Sequence, residues 1–205
     1  LFNTHCHLGE SIFKDITGND WTLEKYLKYT TDYNDKLSVR EREKQWLQSA
    51  TYTVEQCINN AIANICSARS AAISEKNCIR NLAGYPIMKG NKLKTFFEDG
   101  LTGFKQYYLE NKSETCSVGV CLHSIYLNDK DGLLFARECI KAGADFITVH
   151  LSEDEYSRNM EVKTFGKRSA YVLKDYGLLM SKSLLIHCGE ISNDEIELIK
   201  ETDAA

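Results

Sequence analysis

Short apolar runs that end on histidine recur along this chain of 205 residues. The opening run carries His5 and His7, and three later runs end at His123, His150 and His187, which together are all the histidines of the sequence. Side chains two positions apart on a strand point to the same face, so His5 and His7 are predicted to lie side by side. Two imidazoles placed in this way can grip one metal ion.

Helical segments separate the apolar runs. The pattern predicts strands over 1–7, 61–67, 78–83, 116–123, 145–150 and 183–187, with helices over 20–33, 38–60, 92–111, 129–142, 156–176 and 194–202. Short apolar strands alternating with helices are typical of a parallel sheet covered on both sides. Right-handed crossovers then allow a doubly wound sheet or a (β/α) barrel. All five histidines would lie at or just after strand ends, where barrel enzymes build their active sites.

Composition excludes several classes of partner and location. The net charge is −4, so the sequence offers no basic surface for nucleic acid. No apolar run approaches the roughly 20 residues that span a bilayer, so no membrane partner is expected. The eight cysteines form no CxxC pair and are predicted to be reduced thiols of a cytoplasmic protein. Cys6 and Cys188 each neighbour a histidine, but on strands their side chains would face away from it, so their ligation of zinc is disfavoured.

Four motifs resemble, in order, those of the amidohydrolase superfamily: His5-Cys6-His7-Leu8-Gly9-Glu10-Ser11, His123-Ser124-Ile125-Tyr126, His150-Leu151-Ser152-Glu153 and His187-Cys188. The likeness is strongest to the metal-dependent deaminase and chlorohydrolase branch, which includes methylthioadenosine/adenosylhomocysteine, guanine and cytosine deaminases. It covers essentially the whole chain. It implies a TIM-type (β/α) barrel and one domain over 1–205 that forms part of such a barrel.

The resemblance also implies a role for each motif residue. The implied metal ligands are His5, His7 and His150, holding one Zn²⁺, or Fe²⁺ or Mn²⁺, per site. Glu153 and His187 are the implied catalytic residues, and His123 and Glu10 the implied substrate contacts. In the motif of His123 the family usually has proline where this chain has Ile125, so the shape of that loop is left open.

The implied reaction is the hydrolysis of a carbon–nitrogen bond that is not a peptide bond. Its substrate would be a small heterocycle, most simply a purine- or pyrimidine-like ring that loses an amino group. A bound Zn²⁺ lowers the pKa of a water molecule from 15.7 toward about 7. Glu153 would take the proton and pass it to the leaving amine, and His187 would orient the attacking oxygen or stabilise the developing charge.

Several of these residues have a plainer interpretation. Glu153 begins an acidic run through Glu155, which could be a solvated helix start, and Glu10 could be an exposed loop carboxylate. The aromatic residues Trp21, Trp46 and those of Tyr26–Tyr33 are predicted to pack in the core. A further group, Lys163, Lys167 and Arg168, is predicted to form a solvated helix face.

The family's remaining metal ligand is an aspartate at the end of strand eight. The chain is therefore expected to be a fragment that covers strands one to six, without strands seven and eight and the family's small β-sandwich; Asp203 is no credible substitute. Such a fragment alone is expected to bind metal weakly and to be inactive. Hydrolysis of an amide or carbon–chlorine bond, a catalytically dead binding or scaffold role, and assembly into a homo-oligomer all stay open.

Overall fold

A computed structural model describes residues 1–18, 20–60, 64–68, 79–88 and 99–205. The strands are β1 (Phe2–Asn3), β2 (Asn64–Ala68), β3 (Arg80–Ile87), β4 (Cys116–Ser124), β5 (Ile147–Leu151) and β6 (Ser183–His187). The helices are α1 (Leu23–Asp35), α2 (Val39–Asn59), α3 (Gly100–Asn111), α4 (Lys130–Lys141), α5 (Glu155–Phe165), α6 (Ser169–Asp175) and α7 (Asn193–Lys200). Two 3-10 helices, Leu8–Phe13 and Ile125–Leu127, follow β1 and β4.

All six strands lie in one sheet, and each is parallel to the next strand of the chain. A doubly wound sheet reverses its strand order at a switch point. The order β1 to β6 shows no reversal, so the consecutive order of a (β/α) barrel is the one observed. Because parallel strands end at the same edge, the histidine-bearing ends meet there.

Strand β5 is covered on both faces of the sheet. All five residues of β5 are buried, and Ile147 and Leu151 are fully inaccessible. They belong to the main core cluster, which also contains Phe104 of α3, Leu133 of α4 and Leu173 of α6. This double coverage explains why the strand reads as a continuous apolar run instead of an alternating one.

A second, smaller core cluster lies under the first loop. Ala50 and Val54 of α2 are fully buried and pack with Leu8 of the first 3-10 helix. The hydroxyl of Ser49 donates a hydrogen bond to the carbonyl of Leu8 at 2.8 Å. Helix α2 therefore fixes the segment that directly follows His7.

The first strand is much shorter than the predicted range of 1–7. It ends at Asn3, and its pairing with β2 covers two residues. The backbone N–H of His5 donates to the Asn3 side-chain oxygen at 3.2 Å and makes no sheet bond. His5 and His7 therefore lie in the segment after the strand, so strand alternation is not what orients them.

Other differences concern element ends. Helix α1 is capped by Thr22, whose side chain accepts from the N–H of Lys25, and not by Asp20. The helix predicted over 156–176 is two helices, because Gly166 adopts a φ of +69° and ends α5. The predicted segments 61–63, 78 and 92–98 lie outside the described residues. Within the described ranges, no helix combines the length and the apolar character that crossing a bilayer requires.

Candidate metal centre

Four histidine rings surround a fifth at the carboxyl edge of the sheet. His150, buried near the end of β5, is the central one. Its ring centroid lies 4.5 Å from that of His123, 4.7 Å from His5, 5.1 Å from His187 and 5.2 Å from His7. The three strand ends and the segment after β1 thus bring every histidine of the chain into one cluster.

Three of these rings point one nitrogen at a common point. The Nε2 atom of His150 lies 3.0 Å from Nε2 of His5 and 3.3 Å from Nε2 of His7. Two nitrogen ligands at 2.0–2.1 Å from a tetrahedral zinc would be separated by about 3.3 Å. An imidazole Nε2 offers either one proton or one lone pair, so it cannot satisfy both neighbours. A divalent cation held by all three lone pairs fits this arrangement.

The surroundings of His150 and His5 favour the neutral imidazole, the form in which histidine binds a metal. Burial lowers the pKa of His150 to about 2, and the neighbouring histidines add to the effect. Burial and the same neighbours lower the pKa of His5 to about 4. The Nδ1 atom of His150 is buried without a hydrogen-bonding partner among the described residues, so a charged ring would be left unpaired there.

The two neighbouring cysteines are turned toward apolar packing. Cys6 packs against the smaller core cluster and Cys188 against the main one. Burial raises the pKa of the Cys6 thiol to about 11. Among the residues that the structure describes, the group able to hold a metal consists of His5, His7 and His150 alone.

Glu153 faces His187 across the rim of this cluster. One Glu153 oxygen, Oε1, lies 3.5 Å from Nε2 of His187. Burial raises the pKa of Glu153 and the charge of Asp154 adds to the rise, while His187 opposes it. The acidic run divides: Asp154 caps α5, and Glu155 is an exposed residue of its first turn. Of the three carboxylates, only that of Glu153 is turned toward the histidines.

His123 approaches the cluster from β4. Its Nδ1 atom lies 3.0 Å from the hydroxyl of Ser124, and burial lowers its pKa to about 4. The pairing of β4 with β5 shifts register between Cys121 and Ser124, and such irregularities re-aim side chains at strand ends. Ile125 is fully buried and begins a 3-10 helix, so this loop closes without the proline of the family motif.

Glu10 stands at the outer side of His7. Its Oε1 lies 3.6 Å from Nδ1 of His7, and its Oε2 accepts a hydrogen bond from the hydroxyl of Tyr26. Tyr26 is held in turn by Phe13, whose ring also contacts Tyr29 and Tyr33 edge to face. The aromatic stretch therefore packs around the first 3-10 helix, and Glu10 is engaged with protein groups on both oxygens.

The prediction of a solvated face was wrong for Arg168. Its Nε donates to Oε2 of Glu195 at 2.5 Å, and its guanidinium also donates to the carbonyl of Glu190. Glu195 is fully buried. A buried carboxylate needs a charged or hydrogen-bonded partner. Arg168, which directly precedes α6, is that partner for Glu195 of α7.

Sequence reasoning also missed Glu161. This residue is buried on α5, with Ser157 buried one turn before it. A polar side chain at a helix position is ordinarily read as solvated, so nothing in the local pattern marks it.

The sequence of the chain is similar to curated deaminases. No protein-family model matches the chain. Over 98% of its length it is 24% identical to a 5-methylthioadenosine/S-adenosylhomocysteine deaminase of Caldanaerobacter subterraneus, and 22% identical to one of Clostridium tetani. These alignments cover 47% of each relative, so the chain spans about half the length of the curated relatives it matches.

Solved structures share the fold. An adenosine deaminase from Xanthomonas campestris with bound zinc superimposes on the whole chain with a TM-score of 0.84, at 16% identity and over 47% of its own length. A triazine hydrolase from Arthrobacter aurescens does so with a TM-score of 0.81, at 13% identity and over 51% of its length. The predicted (β/α)-barrel fold and the resemblance to the amidohydrolase superfamily are both confirmed.

Proposed function

We propose that this chain carries the histidine cluster of a metal-dependent hydrolase that acts on carbon–nitrogen bonds other than peptide bonds. Hydrolytic removal of an amino group from a purine- or pyrimidine-like ring is the reaction that fits best. The observation that carries the proposal is the convergence of Nε2 atoms from His5, His7 and His150. The similarity to deaminases over nearly the whole chain supports it.

His5, His7 and His150 would hold one divalent ion. Neutral imidazoles suit zinc, and the zinc bound to the similar adenosine deaminase supports that metal over Fe²⁺ or Mn²⁺. When bound, the ion supplies Lewis acidity and makes a water molecule acidic near neutral pH.

Glu153 is the proposed proton carrier. Its Oε1 lies beside His187 at the rim of the cluster, and burial raises its pKa, which favours uptake of a proton by the carboxylate. It would accept a proton from the attacking water and deliver it to the leaving amine. His187, on the same rim, would orient the oxygen that attacks the ring carbon and stabilise the charge that develops there.

Two residues are proposed to contact the substrate. His123 is half-buried beside His150, and its lowered pKa favours the neutral ring, so it can donate or accept one hydrogen bond to the substrate. Glu10 lies at the outer rim, where its role would require Tyr26 to share the carboxylate. The substrate that both residues would contact is a small heterocyclic ring bound next to the three metal ligands.

The domain organisation and the cellular location of the chain are also proposed. Residues 1–205 would form part of one barrel domain. The six cysteines that the structure describes in full are free thiols, which supports a reducing, cytoplasmic location. Association with further copies of the chain stays a prediction.

Metal analysis combined with an ammonia-release screen tests the proposal on the natural polypeptide that contains this chain. His5→Ala should lower the bound metal and the ammonia release together. Glu153→Gln should keep the metal and lower ammonia release by about 10²- to 10⁴-fold, the usual contribution of a general acid–base. Glu155→Gln, two residues along in the same acidic run, is the matched control and should change neither. Full activity in both site variants would refute the mechanism.

Hydrolysis of a carbon–chlorine bond is the second candidate. The fold match to a triazine hydrolase favours it, because the same carboxylate and imidazoles can serve a different leaving group. Chloride release from a chlorinated triazine, without ammonia release from aminated rings, would select this alternative.

A further inference from the structure

Ser152 separates the two halves of the proposed site. It lies two residues after His150 and directly before Glu153, and it is fully buried. Its φ is +44°, in the left-handed region that residues with a side chain seldom adopt. This backbone conformation turns the chain sharply between a proposed ligand and the proposed proton carrier.

Glu161 of α5 accepts two hydrogen bonds from Ser152. The N–H of Ser152 donates to Oε1 of Glu161 at 3.0 Å, and the hydroxyl of Ser152 donates to Oε2 at 2.8 Å. One carboxylate thus binds both the backbone and the side chain of a single residue. A side chain held by two bonds in this way cannot rotate without losing one of them.

Helix stability does not account for a carboxylate at this position. Glu161 is only 1% exposed, and within the described ranges no cationic side chain lies at salt-bridge distance from it. Burying a charged group is costly unless hydrogen bonds compensate. The two bonds from Ser152 supply such compensation, and the hydroxyl of Ser169 adds to it.

The opposite side of the turn is held by the loop after β6. The N–H of Glu190 donates to the carbonyl of Ser152 at 2.9 Å, and the N–H of Cys188 donates to the carbonyl of Leu151 at 3.0 Å. Gly189 lies against the carbonyl oxygen of Glu153, where a Cβ would come within 2.6 Å. The turn is therefore fixed on one side by backbone contacts and on the other by Glu161.

We propose that Glu161 is a positioning residue that holds Ser152 in its left-handed conformation, so that His150 and Glu153 face the same site. This rests on the function proposed above. Loss of the carboxylate lets Ser152 relax toward an ordinary φ, which rotates the peptide between the two functional side chains. Residues that only support metal ligands typically change metal affinity by about 10- to 100-fold when removed.

Four variants separate positioning from general stability. Glu161→Met removes both acceptors at similar volume. Glu161→Gln preserves both contacts, because the amide oxygen can accept from the Ser152 N–H while the amide donates to the hydroxyl. Ser152→Ala deletes the hydroxyl alone. Asp145→Asn is the control: Asp145 also holds a backbone N–H, that of Val118, but before β5 at the opposite end of the sheet.

The measurements, made on the natural polypeptide that contains this chain, are the Co²⁺ affinity and visible spectrum by titration, and the imidazole NMR shifts of His150 and His187 without metal. Glu161→Met should weaken Co²⁺ binding about 10-fold or more and move both shifts. Ser152→Ala should move them less, and Glu161→Gln and Asp145→Asn should match the wild type. A folded Glu161→Met with wild-type affinity, spectrum and shifts would overturn the proposal.

Two further outcomes keep the test decisive. If Glu161→Met does not fold, unchanged shifts and affinity in Ser152→Ala overturn the proposal instead. If the natural polypeptide that contains this chain binds no Co²⁺, the proposed function fails, and the metal-free imidazole shifts still decide whether Glu161 sets the geometry of the turn.

Discussion

The two ends of the sheet are built differently. At the carboxyl end, Ser152, His187 and Cys188 adopt positive φ although none is glycine. At the amino end, Asp145 accepts from the N–H of Val118 at 2.8 Å and from Lys112 Nζ at 2.6 Å, an ordinary charged clamp. The carboxyl end combines three non-glycine residues at positive φ with a buried carboxylate, Glu161, that has no cationic partner within the described ranges. The other contains contacts that simply tie strands and helices together.

The difference indicates that backbone strain, which lowers the stability of the fold, is concentrated at the end of the sheet that carries the proposed site. Strained backbone persists only where its surroundings enforce it, and it concentrates at functional sites. Here the enforcement comes from hydrogen bonds of Glu161 and Glu190 to one residue, Ser152. At the amino end, the residues of the clamp, Lys112, Val118 and Asp145, need no such enforcement because none of them has a positive φ, although Asp203 near the start of β6 does.

The largest difference between the two ends of the sheet is expected when the imidazole of His150 is removed. His150→Ala should reduce zinc affinity by more than about 100-fold, because even residues that only support ligands cost up to that amount. Asp145→Asn should leave zinc affinity unchanged. Chelator competition measures both, and an equal loss in the two variants would erase the distinction between the ends.

A steric change in the middle of the sheet should affect stability and spare the site. A Cβ on Gly119 of β4 would meet the carbonyl oxygen of Phe146 at 2.3 Å. Gly119→Ala is therefore expected to lower the free energy of unfolding by about 1–3 kcal/mol through overpacking. Urea denaturation measures the loss. A stability equal to the wild type would show that the strands separate there at little cost.

The clamp at the amino end should have a smaller effect. Asp145→Ala leaves the N–H of Val118 and Lys112 without their shared acceptor, which should cost about 1 kcal/mol in the free energy of unfolding. The imidazole resonances of His150 should not move. Altered resonances would mean that the two ends communicate along β5.

The smallest expected effect is a change in the slope of stability with pH. Burial raises the pKa of Glu161 and the charge of Glu195 adds to the rise, while the hydroxyl of Ser169 and the two bonds from Ser152 oppose it. The folded chain therefore holds this proton more tightly than the unfolded chain. The contribution of Glu161 falls as pH rises from its ordinary pKa of 4.5 through the raised folded value, and is constant above it.

Glu161→Gln removes that group and its slope. The variant should gain stability relative to the wild type as pH rises through this window, and urea denaturation between about pH 4 and pH 8 would show it. Parallel curves for the two proteins would mean that Glu161 titrates normally, and that its burial carries no electrostatic cost.

Much of the candidate site was accessible to sequence reasoning. The apolar runs that end at His123, His150 and His187 predicted strands, and β4, β5 and β6 carry these residues at or next to their last positions. The prediction for the first strand was wrong beyond Asn3, because apolar periodicity over seven residues does not reveal where sheet pairing stops. His5 and His7 still reach the cluster, through the segment that α2 holds in place.

The sequence by itself determined the order of the elements, their parallel arrangement and the edge at which five histidines gather. These follow from local periodicity and from the common direction of parallel strands. The tertiary structure alone decided that the Nε2 atoms of His5 and His7 converge on that of His150. It also decided that Arg168 pairs with Glu195 and that Glu161 holds Ser152. Such contacts join residues whose burial depends on distant elements. A polar side chain on a helix has the same local pattern whether water or another loop will cover it.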